Sequence, residues 1–476
     1  MLGLFGSLHL GTRALQSQQM AVEVAGQNLA NVNNPAYARQ RVLLQTAPTL
    51  VGLLGPQGTG VQAVAIQQIR NGLLDVQIQN ELATGGYWNA QQSALQTAQA
   101  IVGEQVDRHA QGANETAAVA QAGTVTGLAI ELSDLFNAFR AVAATPASLA
   151  ERQVLVHQAQ TLSTRFNQIA RRLDDLNGQL NAALDQGTNQ VNQLLVDIAR
   201  LNDQIVNAEL PLGGIANDLR DTRQQKLEEL SRLVPVQTAL AANGTVTVTL
   251  AGVTLVADRQ VTDRIETFDP GDGRLQLRTA GSGPPLQPGA GVLAGTLQVR
   301  DGPLAALRND LDALAAALIR EVNRIHRNGY GLDNHTGADF FTGADAQTIA
   351  VNADLLANPA HIHLSDQPDT PGNNRVALAL ANLADQPIAA LNQRTFQEAY
   401  NQIVASLGLA LRNANGQMAD HELVLNLLQR QRQSISGVSL DEEMTDLIRF
   451  QKAYQASARL ITTLDEMLET VLSLKR

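Results

Sequence analysis

SLDEEMTDLIRFQKAYQASARLITTLDEMLETV, residues 439–471, decides how this chain is to be read. Within it Leu447, Phe450, Tyr454, Ser457, Ile461, Leu464, Leu468 and Val471 recur at alternating steps of three and four. That is the period of one face of an α-helix or of a coiled-coil seam. Ser439 with Glu442 three residues later forms a capping-box pattern. Asp441, Glu442 and Glu443 crowd the first turn, where the helix dipole favours negative charge. Lys475 and Arg476 close the other end.

The N-terminus carries a weaker version of the same pattern. Leu8, Leu15, Val22 and Leu29 recur every seven residues, while Leu4, Ala25 and Val32 half-fill a second seam position that Gly11 and Gln18 leave open. The pattern predicts a helix over 4–30 that stops near Asn31, because Asn33-Asn34-Pro35 follows. Pro35 has no backbone donor, and the residue before a proline is pushed out of the α region. Two amphipathic helices of similar length therefore frame the chain. They can pair with each other or with copies of themselves. Two such stripes, only partly covered, are marginal alone, so both termini are expected to be disordered in a free subunit and to order on assembly. The polar Ser457 and Asn31 would then set register.

Between these ends the chain reads mainly as helix. Residues 64–108, Val125 to Ala144, and a coiled-coil-like run of nearly sixty residues all carry helical periodicity. The last starts at the capping box Ser148/Glu151, is interrupted at Gly187, and ends before Pro211. Asn217 to Leu233 adds an amphipathic segment. The period then changes. Residues 245–250 alternate Thr and Val, Ala251-Gly252 makes a turn, and Val253–Val256 answers, which is a β-hairpin signal. A loop at 269–273, a strand at 274–277 and a Gly/Pro-rich stretch from Gly281 to Gly295 complete a small β-rich unit. Helix returns over Pro303–Asn328, a loop region spans 329–372, a short helix covers 374–385, and a long one runs over 395–435 from the capping box Thr395/Glu398 to Gly437. The expected fold is thus mainly α with an inserted β-rich domain, long coiled-coil helices and paired termini. Its parts are a terminal coiled-coil domain (1–40 plus 438–476), a helical bundle (41–233 plus 301–437) and a β-rich outer domain (234–300).

Composition removes several function classes. There is no cysteine, which excludes disulfides, thiol catalysis and Cys-ligated metals. Asp and Glu number 45 against 34 Lys and Arg, a net charge of −11, which disfavours nucleic-acid binding through phosphate contacts. The longest apolar run, Leu311–Ile319, contains Asp312 and is too short to span a bilayer. The N-terminus lacks the basic region and cleavage site of a secretory signal. No phosphate-binding loop, nucleophile elbow or HExxH pattern occurs. The glycines of 289–295 have the wrong spacing for a dinucleotide fingerprint. His361 and His363 are too few for a metal motif, and Asp333, Asn334 and Asp339 fail the calcium-loop spacing. The expectation is a protein without enzymatic activity, metal or cofactor.

The run Asn28-Leu-Ala-Asn-Val-Asn-Asn-Pro-Ala-Tyr-Ala-Arg-Gln40 resembles the N-terminal signature of bacterial flagellar axial proteins, in particular the flagellar hook-associated protein 1 family. Asn28, Ala30, Asn31, Asn33, Pro35, Tyr37, Arg39 and Gln40 match it, whereas Asn34 stands for Thr, Ala36 for Gly and Ala38 for Ser. Ala36 predicts a turn after Pro35 with no need for positive φ. Residues 436–459 resemble the family's C-terminal signature. Weaker similarity runs through 217–223, 295–301 and 328–341, and least through the β insert.

The resemblance implies terminal helices that line the core of a helical tube, inside a helical domain, with β domains outermost. It implies a structural role at the hook–filament junction as a helical ring of subunits. It further implies contacts with hook protein and the second hook-associated junction protein, a cytoplasmic export chaperone, and type III export to the flagellum outside the cell without cleavage. The assembly interface it points to comprises Leu8, Leu15, Val22, Leu29, Asn31, Pro35, Tyr37, Arg39, Leu447, Phe450, Tyr454, Ile461, Leu464, Leu468 and Val471. The competing readings are another axial protein, of rod or hook, which would need a shorter or mainly β interior, and a coiled-coil surface adhesin, which would need a signal peptide or anchor.

Overall fold

The computed structural model describes residues 3–52, 55–103, 127–210, 214–280 and 283–473. Helix α1 (Leu4–Ala30) leads into strand β1 (Gln40–Thr46), a two-stranded tip of β2 (Leu50–Gly52) and β3 (Gly55–Gln57), and strand β4 (Val61–Gln68). Strand β1 pairs antiparallel with β4, Gln40 opposite Gln68 and Thr46 opposite Val61, and this hairpin lies against α1. The helix predicted from residue 64 therefore begins later. Helix α2 runs Gly72–Val102, capped by the Asn71 side chain, and residues 104–108 lie outside the described residues. The short alternating run 61–66 is stabilised by a partner strand some twenty residues earlier, which helical periodicity does not register.

Helix α3 (Leu128–Ala144) ends at Thr145 as expected; Val125 and Thr126 lie outside the described residues. Helix α4 (Leu149–Glu209) is one rod of 61 residues. Ser148 accepts a bond from the Glu151 N–H at its start. The interruption expected at Gly187 does not occur. A side chain there would sit 2.6 Å from Leu293 Cδ2, so the glycine makes room for a neighbour rather than a break. Helix α5 occupies Asn217–Leu233.

Next come β5 (Gln237–Leu240), β6 (Val246–Leu250), β7 (Val253–Ala257) and β8 (Gln260–Val261) in one antiparallel sheet, with β9 (Ile265–Phe268) paired to β10 (Gln276–Thr279). Ala251 and Gly252 both have positive φ, the conformation a two-residue hairpin turn requires. The Gly/Pro-rich stretch is not all loop. Helix α6 (Gly291–Val299) starts inside it and continues through a π-helical turn, Arg300–Leu304, into α7 (Ala305–His326). Helix thus returns twelve residues before Pro303, and the widened turn accommodates the proline. Gly295 is where α6 touches the Tyr87 carbonyl of α2, a contact that leaves no room for a side chain.

The region after α7 holds only β11 (Phe341–Thr342), β12 (Ala350–Val351), α8 (Ala353–Ala357) and a 3-10 turn. Helix α9 (Arg375–Asn382) follows, then α10 (Phe396–Ser436), opened by a reciprocal Thr395/Glu398 capping box, and α11 (Leu440–Ser473). The fold is mainly α with an inserted β-rich portion.

Two large cores hold it together. One joins α3, the first half of α4, α7, α9 and α10 around Phe136, Phe139, Phe166, Leu314 and Phe396. The other joins the second half of α4 to α5 and the β insert around Leu195, Leu230, Val248, Leu255 and Leu277. α1 and α11 lie outside both and pack side by side.

Candidate functional site

Asn28 is the centre of a polar clasp that ties the two ends of the chain to each other and to α5. Its amide nitrogen donates to the Gln40 carbonyl and to Glu443 Oε2, both at 3.0 Å. Its carbonyl oxygen accepts from the Tyr37 hydroxyl at 2.8 Å and the Gln40 N–H at 2.9 Å. All four hydrogen-bonding positions of a side chain only 2% exposed are therefore used.

The chain reaches this arrangement by stopping α1 sharply. Asn31 folds its side chain back onto the Gln27 carbonyl, and the Asn34 side chain accepts the Ala36 N–H. Ala36 has no positive φ, as the sequence implied.

Arg39 then meets the start of α11. Its Nη1 lies 2.6 Å from Glu442 Oε2 and its Nε 2.6 Å from Glu443 Oε1, with Asp446 at 3.8 Å from Nη2. Its backbone N–H donates to the Ser436 carbonyl at the end of α10. The acidic first turn that suits the helix dipole is also the socket for Arg39. Glu443 is 3% exposed, so this carboxylate depends on its partners.

On the other side α5 contributes two aspartates. Asp221 accepts the Ala38 N–H at 3.0 Å and Arg70 Nη2 at 2.8 Å, and Asp218 accepts Gln40 Nε2 at 3.1 Å. Burial raises the Asp221 carboxyl above its usual range, against the pull of its bonds to Ala38 and Arg70. The Tyr37 hydroxyl is pushed well above its ordinary value, by burial first and then by Asp218, Asp221 and Glu443. It therefore stays protonated as the donor to Asn28.

The predicted interface residues divide clearly. Leu8, Leu15, Val22, Leu29, Asn31, Tyr37 and Arg39 are half-buried and Pro35 is exposed. On α11, Leu464 is buried, Leu447, Phe450, Ile461 and Leu468 are half-buried, and Tyr454 and Val471 are exposed. The deepest face of α1 is instead Gly11, Ser17, Ala21, Val24, Ala25 and Asn28. A side chain on Gly11 would lie 2.9 Å from Ile461 Cγ1, so the apparent gap in the seam is a point of closest approach. Small residues let a helix and a hairpin both press on α1, and a seven-residue stripe drifts around a straight helix. An open groove of about 590 Å³ remains between α1, β1 and α11, lined by Val24, Val42, Leu44 and Phe450 among others. A second apolar row at the start of α11, Leu440, Met444 and Ile448, faces solvent, and Met467 is exposed on another face.

Arg70, Asp218 and Asp221 are site residues beyond those the sequence points to, although Asp218 and Asp221 lie in the run 217–223 that resembles the family. His361 and His363 lie in loop and 3-10 backbone, where their rings stack on His335 and His326 respectively. Among the described residues no group of three or more acidic or imidazole side chains is placed to hold a metal ion, and no helix is long and apolar enough to cross a membrane.

Comparison with known proteins places these features in a family context. Residues 113–341 match the model of the flagellar hook-associated protein FlgK helical domain, and residues 429–474 match that of the flagellar basal body rod FlgEFG protein C-terminal region. The chain is 28% identical to flagellar hook-associated protein 1 of Bacillus subtilis (strain 168), over 99% of each chain. It is 24% identical to the protein of that name from Escherichia coli (strain K12), over 97% of this chain and 98% of the other. The solved structure of the flagellar hook junction protein FlgK from Burkholderia pseudomallei is similar in fold. It has a TM-score of 0.61 at 16% identity and covers 76% of this chain and 100% of that one.

Proposed function

The chain belongs to the flagellar hook-associated protein 1 family, and on that premise we propose that it acts by presenting its clasped terminal helices to neighbouring subunits in a helical ring between hook and filament. It is a structural component of the bacterial flagellum at the hook–filament junction. The observation that carries this is similarity over the whole chain, including a helical-domain match at 113–341 that is separate from the rod-type C-terminal match.

The physical support lies in the uneven burial of the ends. The clasp fixes the start of α11 against α1 and α5, while the α1–α11 pair keeps half-buried stripes and an exposed apolar row. Apolar surface of that extent suits burial against further subunits. In this reading residues 1–40 with 438–476 form the inner layer, the helical bundle surrounds it, and 234–300 faces outward. Hook protein and the second hook-associated junction protein are its axial neighbours. An export chaperone covers the C-terminal helix before assembly, and export proceeds without cleavage. The protein works by packing, not by catalysis.

Deletion of the gene tests the role. Cells that keep hooks, lose filaments and shed flagellin into the medium are expected. Normal filaments on such cells would overturn it.

A further inference from the structure

Four of the chain's eight histidines meet where the long connection after α7 folds back on the bundle. His326 in the last turn of α7 and His363 stack with ring centroids 4.2 Å apart and planes within 10°. His335 and His361 form a second stack at 4.9 Å, and His335 and His363 lie 5.8 Å apart. We propose that this stack is an acid-released latch, which holds residues 329–373 on α7 and α4 at neutral pH and frees them when the inner imidazoles take up protons.

The hydrogen bonds assign one proton to the His326 ring and a donor role to Nδ1 of His363, whose Nε2 faces His335 Nδ1 at 3.5 Å. The His363 N–H donates to His326 Nε2 at 3.0 Å, so that nitrogen must be bare. His326 Nδ1 faces the Ala338 carbonyl at 2.8 Å, and His363 Nδ1 faces the His326 carbonyl at 2.9 Å, so both of these donate. A second proton on His326 Nε2 would point at the His363 backbone N–H and break one of the bonds that dock the connection. Both inner histidines are fully buried, so the resulting charge would also be desolvated.

Burial favours the neutral form of the inner pair, while the charges around the stack pull both ways: Arg152 opposes a proton on His326, and Asp339 and Asp333 favour one on His326 and His363 respectively. From α4, Arg152 approaches, itself 2% exposed and bonded to the carbonyls of Pro146, Pro359, Ala360 and Ile362. From α7 and the following loop, Arg327 holds Asp339, and Phe340 packs its edge on His326. Asp333 and Asp354 sit on the outer ring, 2.9 and 2.8 Å from the nitrogens of His361. Beside α9, Arg375 holds Asp366. Burial, then the neighbouring His363, brings His326 down from 6.5 to about 3, and burial also lowers His363. A base depressed on folding contributes stability that is full above its free value and is lost as pH falls below it. The window for release therefore opens below 6.5 and widens towards 3.

Amide exchange on the full chain at about pH 7.5 and about pH 5.5, corrected for the intrinsic rate, tests this. One pH unit below the free histidine value, each released imidazole favours opening about tenfold, so peptides of 329–373 should lose about ten- to a hundredfold protection. Peptides of α5 should not follow. The double variant H326Q/H363Q should lose that pH dependence. Persistence of the dependence in the variant, or equal dependence in α5, would overturn the latch. Histidine titration of the native chain by NMR gives a reading that does not need the variant to fold. Inner rings titrating near 6.5 in the folded protein would also overturn it.

Discussion

Helices α4 and α11 share the same three-and-four rhythm, yet α4 buries 22 of its 61 residues whereas α11 buries two of its 34, Glu443 and Leu464. The difference lies in the surroundings, not in the pattern. α4 is covered along its length by α3, α5, α6 and the β insert. α11 has α1 on one side, a clasp at its start, and solvent elsewhere. An amphipathic stripe states that a helix needs a partner, and only the structure shows whether that partner lies within the same chain. In α4 the requirement is met internally. In α11 it is met in part, which is the expected condition of a helix whose remaining partners are other subunits.

Breaking the better-covered helix should have the largest effect on the free chain. Phe166 of α4 is fully buried in the main core. Phe166→Ala should cost about 3–5 kcal/mol, seen as a clear fall in the thermal midpoint of the purified protein. The clasp comes next. Arg39→Ala leaves Glu443 buried without its cation, and should cost about 2–3 kcal/mol, confined to the docking of α11. Limited proteolysis should then cut within α11 while the cores stay resistant. Arg39→Lys should restore only part of the protection, because one ammonium cannot reproduce the guanidinium's several fixed contacts. The smallest effect on the free chain belongs to the exposed row of α11. Ile448 is 54% exposed, so Ile448→Ser should change folding stability by no more than about 0.5 kcal/mol. The same variant should fail to restore motility to a deletion strain, and full swimming would show that this row is not used in assembly.

What could be read from sequence follows the range of the interactions. α1, α5 and the β6–β7 hairpin lie where expected, because helix stops, capping and the Ala251-Gly252 turn act over a few residues. The clasp is half legible: Asn28, Tyr37, Arg39 and Gln40 stand together in one motif and Asp221 lies in the similar run 217–223, but Asp221 joins Ala38 across 183 positions and Arg70 across 151, pairings that neither local run specifies. Long-range pairing likewise hid strand β4 within an apparently helical run. In the sequence Gly11 is a gap in a seam, Gly187 an interruption and Gly295 the end of a Gly/Pro-rich stretch. Each is a site where another element comes too close for a side chain, a tertiary demand that a glycine in a sequence cannot specify.

Amide exchange along the free chain separates an α11 that completes its packing only against other subunits from one that is already fully packed in the isolated chain. Beyond the first turns held by the clasp, α11 and α1 should exchange orders of magnitude faster than α4, whose amides should approach the protection of global unfolding. Protection of α11 equal to that of α4 in the isolated subunit would contradict the account.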